Sequence, residues 1–226
     1  MRKPLLLLLV LFLGASYANG EEKRLSFAND VMPVFFRAGC NQGTCHGSAR
    51  VKDGFALSLF GFDKRGDYFR LTQELIGRRI NMAVPAESLL LLKATGVVPH
   101  TGGQRFKKES QYYQTLKTWI EQGALNDQGE VPVPLQITLD PPNIKFAGND
   151  KARQLSVTAR YSDGSNRDVT RLALFFSNNN DTASIDKNGL VTSHAKGDTY
   201  VFARFDRFTI GSEVIVLPEE TDYQWS

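Results

Sequence analysis

Apolar residues change their spacing part-way along the chain. Up to about residue 126 they recur three or four positions apart, the repeat of one face of a helix, and glycine-rich loops separate the runs. From about residue 135 they fall in short alternating stretches rich in Val, Thr, Ile and Phe, with Asn, Asp and Gly between them. The segment Gly129-Glu130-Val131-Pro132-Val133-Pro134 divides the two patterns; its prolines favour extended backbone and cannot donate ladder hydrogen bonds. The chain is therefore expected to form two domains: a small all-α domain over residues 25–126 and an all-β sandwich over 135–218, joined by a linker at 127–134.

Ser26 is placed to cap a helix running through Phe27, Val31 and Phe35 towards Cys40, with Asn29 and Asp30 in its first turn and Pro33 straining it or starting a second short helix. Asp67 to Ile76 carries Tyr68, Leu71 and Leu75 on one face, and Ser88 to Lys93 is a short leucine-rich helix that Gly96 can end. The clearest stripe is Tyr112, Leu116, Trp119 and Ile120, which predicts a helix over Ser110 to Gln122 stopped by Gly123. Such short helices are expected to make a weak core by themselves, one that a bound group would complete. In the second half, strands are predicted at Gln136–Leu139, Leu155–Tyr161, Leu172–Phe176, Thr199–Phe205 and Glu213–Leu217, with Asp163-Gly164 and Asn188-Gly189 as turns. Strands of this length and spacing suggest an antiparallel sandwich, held by apolar packing because this half has no cysteine.

The N-terminus reads as an export leader: Arg2 and Lys3, then an apolar run from Leu5 to Leu13, then Ser16-Tyr17-Ala18 with small residues where a signal peptidase cuts. Residues 1–18 are assigned to the leader, and nothing later in the sequence is long and apolar enough to span a bilayer. The mature chain is expected in the periplasm or cell envelope, where disulfides are permitted. The whole chain carries +3 and loses Arg2 and Lys3 with the leader, leaving a charge near +1 that makes nucleic acid a poor partner.

Candidate chemistry concentrates in Cys40-Asn41-Gln42-Gly43-Thr44-Cys45-His46, which holds both cysteines of the chain. Covalent haem attachment needs two thiols for the porphyrin vinyl groups and an imidazole just after the second, able to reach the iron. Four residues between the cysteines, instead of the usual two, make a rarer spacing. This reading makes Cys40 and Cys45 the covalent anchors of one haem c and His46 its proximal iron ligand. For the opposite face His100 is preferred, in the loop Val97-Val98-Pro99-His100-Thr101-Gly102-Gly103, which is fixed on one side and permissive on the other. Met82 is the alternative, and histidine in place of methionine lowers the reduction potential. His194 is read as a surface residue. Phe35, Phe36, Phe55, Leu57, Leu59, Phe60, Tyr112 and Trp119 are candidates to line the pocket, and Arg78, Arg79 or Arg105 to pair with haem propionates.

Two other readings of the cysteines stand beside this one. A Cys40–Cys45 disulfide would make His46 incidental, although so short a loop gains little from closure. A zinc site of Cys40, Cys45, His46 and His100 needs adjacent residues to converge on one ion, which is rare. No nucleophile–base pair, paired carboxylates or phosphate loop stands out, so no enzymatic activity is expected.

From about Leu25 to Ala124 the chain resembles the planctomycete-type cytochrome C-like domains of large exported bacterial proteins. The resemblance is carried by Ala38-Gly39-Cys40 through Cys45-His46-Gly47, Gly54-Phe55, Leu57-Ser58-Leu59, Gly61-Phe62-Asp63, Arg78-Arg79, Ser88 to Lys93, Pro99-His100 with Gly102-Gly103 and Arg105-Phe106, and Trp119-Ile120 with Gly123-Ala124. It implies a small helical c-type cytochrome with Cys40 and Cys45 on haem and His46 on iron. Related domains often place a methionine followed by prolines where Pro99-His100 stands, a departure that favours His100 and leaves Met82 open. From about Pro134 to Leu217 the chain is similar to group 2 bacterial Ig-like domains, through Thr182-Ala183-Ser184-Ile185-Asp186, Asn188-Gly189-Leu190-Val191-Thr192 and Gly197-Asp198-Thr199. In relatives these two domains usually precede much longer regions, so a chain stopping at Trp225-Ser226 is expected to be a short form or a truncated product. The expected function is electron transfer to an unknown redox partner, with the sandwich as spacer or as docking module for a cell-envelope partner. The alternative is a haem-free envelope adhesion or assembly protein with a Cys40–Cys45 disulfide.

Overall fold

Ser26 begins the first element of the computed structural model, which describes residues 24–47 and 52–219; the expected leader lies outside them. The Ser26 hydroxyl accepts from the Asn29 amide at 3.0 Å, while the Asp30 carboxylate accepts from the Ser26 amide at 2.8 Å, so donor and cap satisfy one another. A wide π-helical turn over Phe27–Val31 leads into α1, Met32–Arg37. Pro33 sits in the first turn of α1, where its missing N–H costs nothing, so the single helix expected to reach Cys40 becomes two pieces ending at Arg37.

Helix α2 spans Lys64–Thr72, capped by the Asp63 side chain on the Gly66 amide at 2.9 Å; it starts and ends earlier than its apolar stripe predicts. Helix α3 spans Leu89–Ala94. Helix α4 spans Gln111–Glu121, capped by Ser110 through the Tyr113 amide at 3.2 Å. Phe27, Val31, Val34, Phe35, Leu71 and Leu91 close with Leu116, Trp119 and Ile120 into one continuous core. Trp119 and Phe27 pack with ring centres 5.4 Å apart, and the indole N–H donates to the Leu125 carbonyl at 3.0 Å. The weak core expected of these helices is therefore corrected: protein side chains fill the centre, and any larger group must bind beside it.

The second half is all β. Its strands are β1 (Pro134–Asp140), β2 (Asn143–Ala147), β3 (Ala152–Gln154), β4 (Ser156–Tyr161) and β5 (Asn166–Asp168). They continue as β6 (Leu174–Ser177), β7 (Ala183–Ile185), β8 (Leu190–Ser193), β9 (Gly197–Phe205) and β10 (Phe208–Leu217). They order as β1-β4-β5, β2-β10-β9-β6 and β3-β8-β7. Alternation places Val201, Ala203 and Phe205 of β9 inward against Val157, Ala159 and Tyr161 of β4, which is how two sheets share one core. One pairing departs from an antiparallel sandwich: β2 runs parallel to β10, with Ile144 opposite Val214, because the chain crosses between sheets after β1 instead of turning back on it.

The two halves are bound to each other directly. Arg167 on β5 donates to the Asp30 carboxylate at 2.7 Å and to the Asn29 carbonyl at 3.2 Å. Arg37 donates to the Lys187 carbonyl at 2.6 Å, the Tyr112 hydroxyl to the Arg171 carbonyl at 2.5 Å, and the Arg204 guanidinium lies 4.3 Å over the Phe60 ring. Leu172 packs against both cores. The segment expected as a linker is also tied down, since the Asp127 carboxylate accepts from the Phe27 and Ala28 amides and the Pro132 carbonyl accepts from the Asn29 side chain.

Candidate functional site

The turn from Cys40 to Gly47 is a knot of backbone bonds. The Cys45 amide donates to the Gln42 carbonyl and the His46 amide to the Cys40 carbonyl, both at 2.9 Å, while the Leu57 amide donates to the His46 carbonyl at 2.7 Å. A side chain at Gly47 would run into the Asn41 carbonyl, so the residue after His46 must be glycine for the turn to close. Both thiols are free, and Cys40 is half-buried with its thiol pKa pushed up to about 12 by burial, Arg105 opposing.

His46 and His100 face one recess. Their ring centres are 6.1 Å apart and their planes 9° from parallel. The His46 Nδ1 lies 3.1 Å from the Phe55 carbonyl and the His100 Nδ1 lies 3.3 Å from the Gly103 carbonyl. A carbonyl only accepts, so each bond places the proton on Nδ1 and leaves the Nε2 lone pair available to a metal. Burial lowers the His46 pKa, with the Phe55 carbonyl opposing, which keeps the imidazole neutral and able to ligate. A Cβ at Gly102 would lie 2.7 Å from the His100 Cε1, so the absence of a side chain there lets the ring take its place.

Arg79 builds the wall behind His46. It is 7% exposed and donates to the Arg70 carbonyl at 2.8 Å, the Gly54 carbonyl at 2.9 Å and the Glu74 carboxylate at 2.9 Å. Its guanidinium lies 4.5 Å over the Phe55 ring, which in turn sits 4.8 Å from the His46 ring. Arg79 is thus used up internally, which corrects its candidacy as a propionate partner. Among the described residues, Lys52, Lys93, Arg78 and Arg105 stand around the recess with Asp53 as the one carboxylate, and Phe35, Leu89, Leu90 and Ala94 supply apolar wall. The recess has a cavity volume of about 90 Å³.

The residues singled out in the sequence divide clearly. Cys40, His46, His100, Arg78, Arg105, Phe35 and Phe55 meet at the recess. Cys45 lies on the same turn, outside its lining. Met82 is 54% exposed and away from it. Leu57 and Trp119 belong to the core, Leu59 is exposed, and Phe36 and Phe60 pair with each other beside the sandwich. Tyr112 lies between the domains. His194, expected at the surface, is half-buried with its Nε2 2.8 Å from the Ser184 hydroxyl. For zinc, the described residues bring no three His, Cys, Asp or Glu side chains together around one point. Lys52, Lys93 and the Phe55 carbonyl were missed by sequence reasoning; the short Lys52–Phe55 turn brings the first and last to His46, and α3 supplies Lys93.

Residues 136–207 match the bacterial Ig-like domain (group 2) family, and the C-terminal half is an Ig-like domain of that kind. The match does not extend to the helical half. No curated protein sequence matches the chain. Among solved structures the chain is similar to the S-layer protein SbsC domains 4 and 5, with 18% identity over 38% of this chain and 54% of that one and a TM-score of 0.34. It is similar at the same distance to SbsC domains 1–6, with 18% identity, 40% and 14% coverage and a TM-score of 0.36, and to domains 5–6, with 20% identity, 38% and 45% coverage and a TM-score of 0.34. The chain thus spans about half or less of each of these structures, and likenesses so distant carry no function. No helix among the described residues is long and apolar enough to cross a membrane.

Proposed function

We propose that residues 25–126 form a mono-haem c-type cytochrome domain of an exported protein, and that the chain works in electron transfer rather than catalysis. The observation that carries this reading is the facing pair of histidines, 6.1 Å apart, nearly parallel, each with Nδ1 tied to a carbonyl. Each ring's Nδ1 is held by a carbonyl, so Nε2 is the nitrogen that each imidazole would offer a haem iron. The residues present fit the group: two imidazole nitrogens, a thiol in the wall, an apolar side and a cationic rim.

In this reading His46 and His100 would hold the iron, Cys40 and Cys45 would hold the porphyrin, and Met82 would have no part. The bound haem would supply reversible one-electron chemistry. The chain's own residues fix both imidazole tautomers, keep His46 neutral and set positive charge at the mouth for acidic groups. The Ig-like domain, bolted on by Arg167 and Arg37, is a rigid docking module or spacer in the cell envelope.

A second reading needs only the Ig-like match: a haem-free envelope adhesion or assembly protein in which Cys40 and Cys45 form a disulfide. The absorption spectrum of protein matured in a c-type cytochrome host separates the two. A low-spin haem spectrum that turns high-spin in His100→Ala and is unchanged in Met82→Leu supports the haem assignment. A spectrum indifferent to His100→Ala but altered by Met82→Leu reverses the sixth ligand, and the absence of haem selects the second reading.

A further inference from the structure

A second cleft, of about 1080 Å³, opens between the two domains and takes no part in the site above except through Arg105. That volume lies just above the roughly 300–1,000 Å³ of small-molecule pockets. Five cations, Arg37, Arg105, Lys107, Arg171 and Lys187, line it against two carboxylates, Glu109 and Asp168. The cleft therefore carries an excess of three positive charges.

The other basic residues with side chains near carboxylates are neutralised: Lys64, Arg70, Arg79, Lys117, Lys151 and Arg167 all form ion pairs. Among the described residues, none of the five cleft cations does. Arg37 adds a sharper sign, because its Nε is buried and has no hydrogen-bond partner although its Nη2 reaches the Lys187 carbonyl at 2.6 Å. A buried guanidinium donor without an acceptor is costly, and an anion entering between the domains would satisfy it.

The rest of the lining chooses among anions. Gln104, Gln111, Gln154 and Asn188 offer amides, and Ser110 and Ser156 offer hydroxyls. Gln154 has already given its NH₂ to the Leu155 and Asn188 carbonyls, which leaves its carbonyl oxygen as an acceptor. Mixed amide and hydroxyl groups match the hydroxyls of a sugar, while the guanidinium forks match carboxylate or sulfate. An acidic protein would need an exposed apolar anchor at the centre of the patch; of the two rings in the lining, Phe106 is 7% exposed and Tyr112 is half-buried with its hydroxyl donated to the Arg171 carbonyl.

We infer that the interdomain cleft binds an anionic oligosaccharide, its acidic groups held by Arg37, Lys107, Arg171 and Lys187 from both domains. This does not depend on haem and holds for the unmatured chain. The test is calorimetric titration of the purified full chain with tetragalacturonate, a sulfated tetrasaccharide, neutral maltotetraose and a hexa-aspartate peptide. An acidic sugar is expected to bind at least about tenfold tighter than maltotetraose, and the better of the two acidic probes names the preferred group. Lys107→Gln with Arg171→Gln, one on each wall, is expected to weaken that binding by about tenfold per charge, with Lys187→Gln alone as a milder surface variant. Equal binding of maltotetraose, tighter binding of hexa-aspartate, or affinity untouched by all three substitutions overturns the inference.

Discussion

Removing Arg167 tests whether the two domains behave as one body. Its guanidinium makes two charge-assisted bonds across the interface, to the Asp30 carboxylate at 2.7 Å and the Asn29 carbonyl at 3.2 Å. Bonds to charged groups contribute about 1.5–3 kcal/mol when buried, and exposed pairs about 0.2–1 kcal/mol. The Arg167 side chain is 33% exposed and that of Asp30 13%, so the pair lies between those limits. Asp30 keeps its bond from the Ser26 amide and is not left without a partner. A loss of about 2 kcal/mol is therefore expected for Arg167→Ala, a fall of about 4–8 °C in melting temperature for a chain of this size. Differential scanning calorimetry should show one transition in the parent and a separated, earlier helical-domain transition in the variant. Arg160→Ala, a neighbouring exposed arginine of β4, is the control and should change nothing. In a double-mutant cycle with Asp30→Ala the coupling should reach about 1–2 kcal/mol. Additivity of the two substitutions, or a melting temperature equal to the control's, would refute direct coupling through this pair.

Three further outcomes follow from the same geometry. Gly102→Ala places a methyl 2.7 Å from the His100 Cε1 and must swing the ring away, so matured protein should show the high-spin spectrum of His100→Ala while retaining haem; an unchanged low-spin spectrum contradicts this. Trp119→Ala empties the centre of the helical core, where the ring is 1% exposed, and should cost about 3–5 kcal/mol in urea unfolding; a cost below about 1 kcal/mol would show that the core collapses around the gap. Asp67 is buried beneath Ser58, and burial raises its pKa above the ordinary 3.8. The native state then holds the proton more tightly than the unfolded chain, so this group's contribution is full below about pH 3.8 and is lost as pH rises through the raised value. The stability advantage of the parent over Asp67→Asn should accordingly shrink between about pH 3.5 and pH 7, and a constant difference contradicts the assignment.

Where local chemistry decides structure, the sequence was informative. Ser110, the Tyr112–Ile120 stripe and Gly123 define α4 to within a residue, because cap, periodicity and terminator agree. The Cys40–His46 turn and His100 stand out for the same reason, being rare residue types in a short span and in a Pro-His-x-Gly-Gly loop. The start of α2 was missed because Lys64-Arg65-Gly66-Asp67 has no apolar stripe and only Asp63 marks its origin. Edge strands β3 and β5 were missed because Ala152-Arg153-Gln154 and Asn166-Arg167-Asp168 are three residues long and carry no alternating apolar positions. The interface was illegible altogether: Arg167 and Asp30 are ordinary polar residues until folding brings them together across 137 positions. Arg79 carries the same lesson, since nothing in an Arg-Arg pair says which one turns inward.

The central claim is that the recess between His46 and His100 holds one haem bound through Cys40 and Cys45. The most direct measurement is haem retention by the chain after maturation in a c-type cytochrome host and full denaturation, read on a gel and by its Soret band. One haem per chain that stays with the polypeptide, and is lost in Cys40→Ala with Cys45→Ala, is the predicted result. A colourless chain whose two cysteines are joined to each other would contradict it.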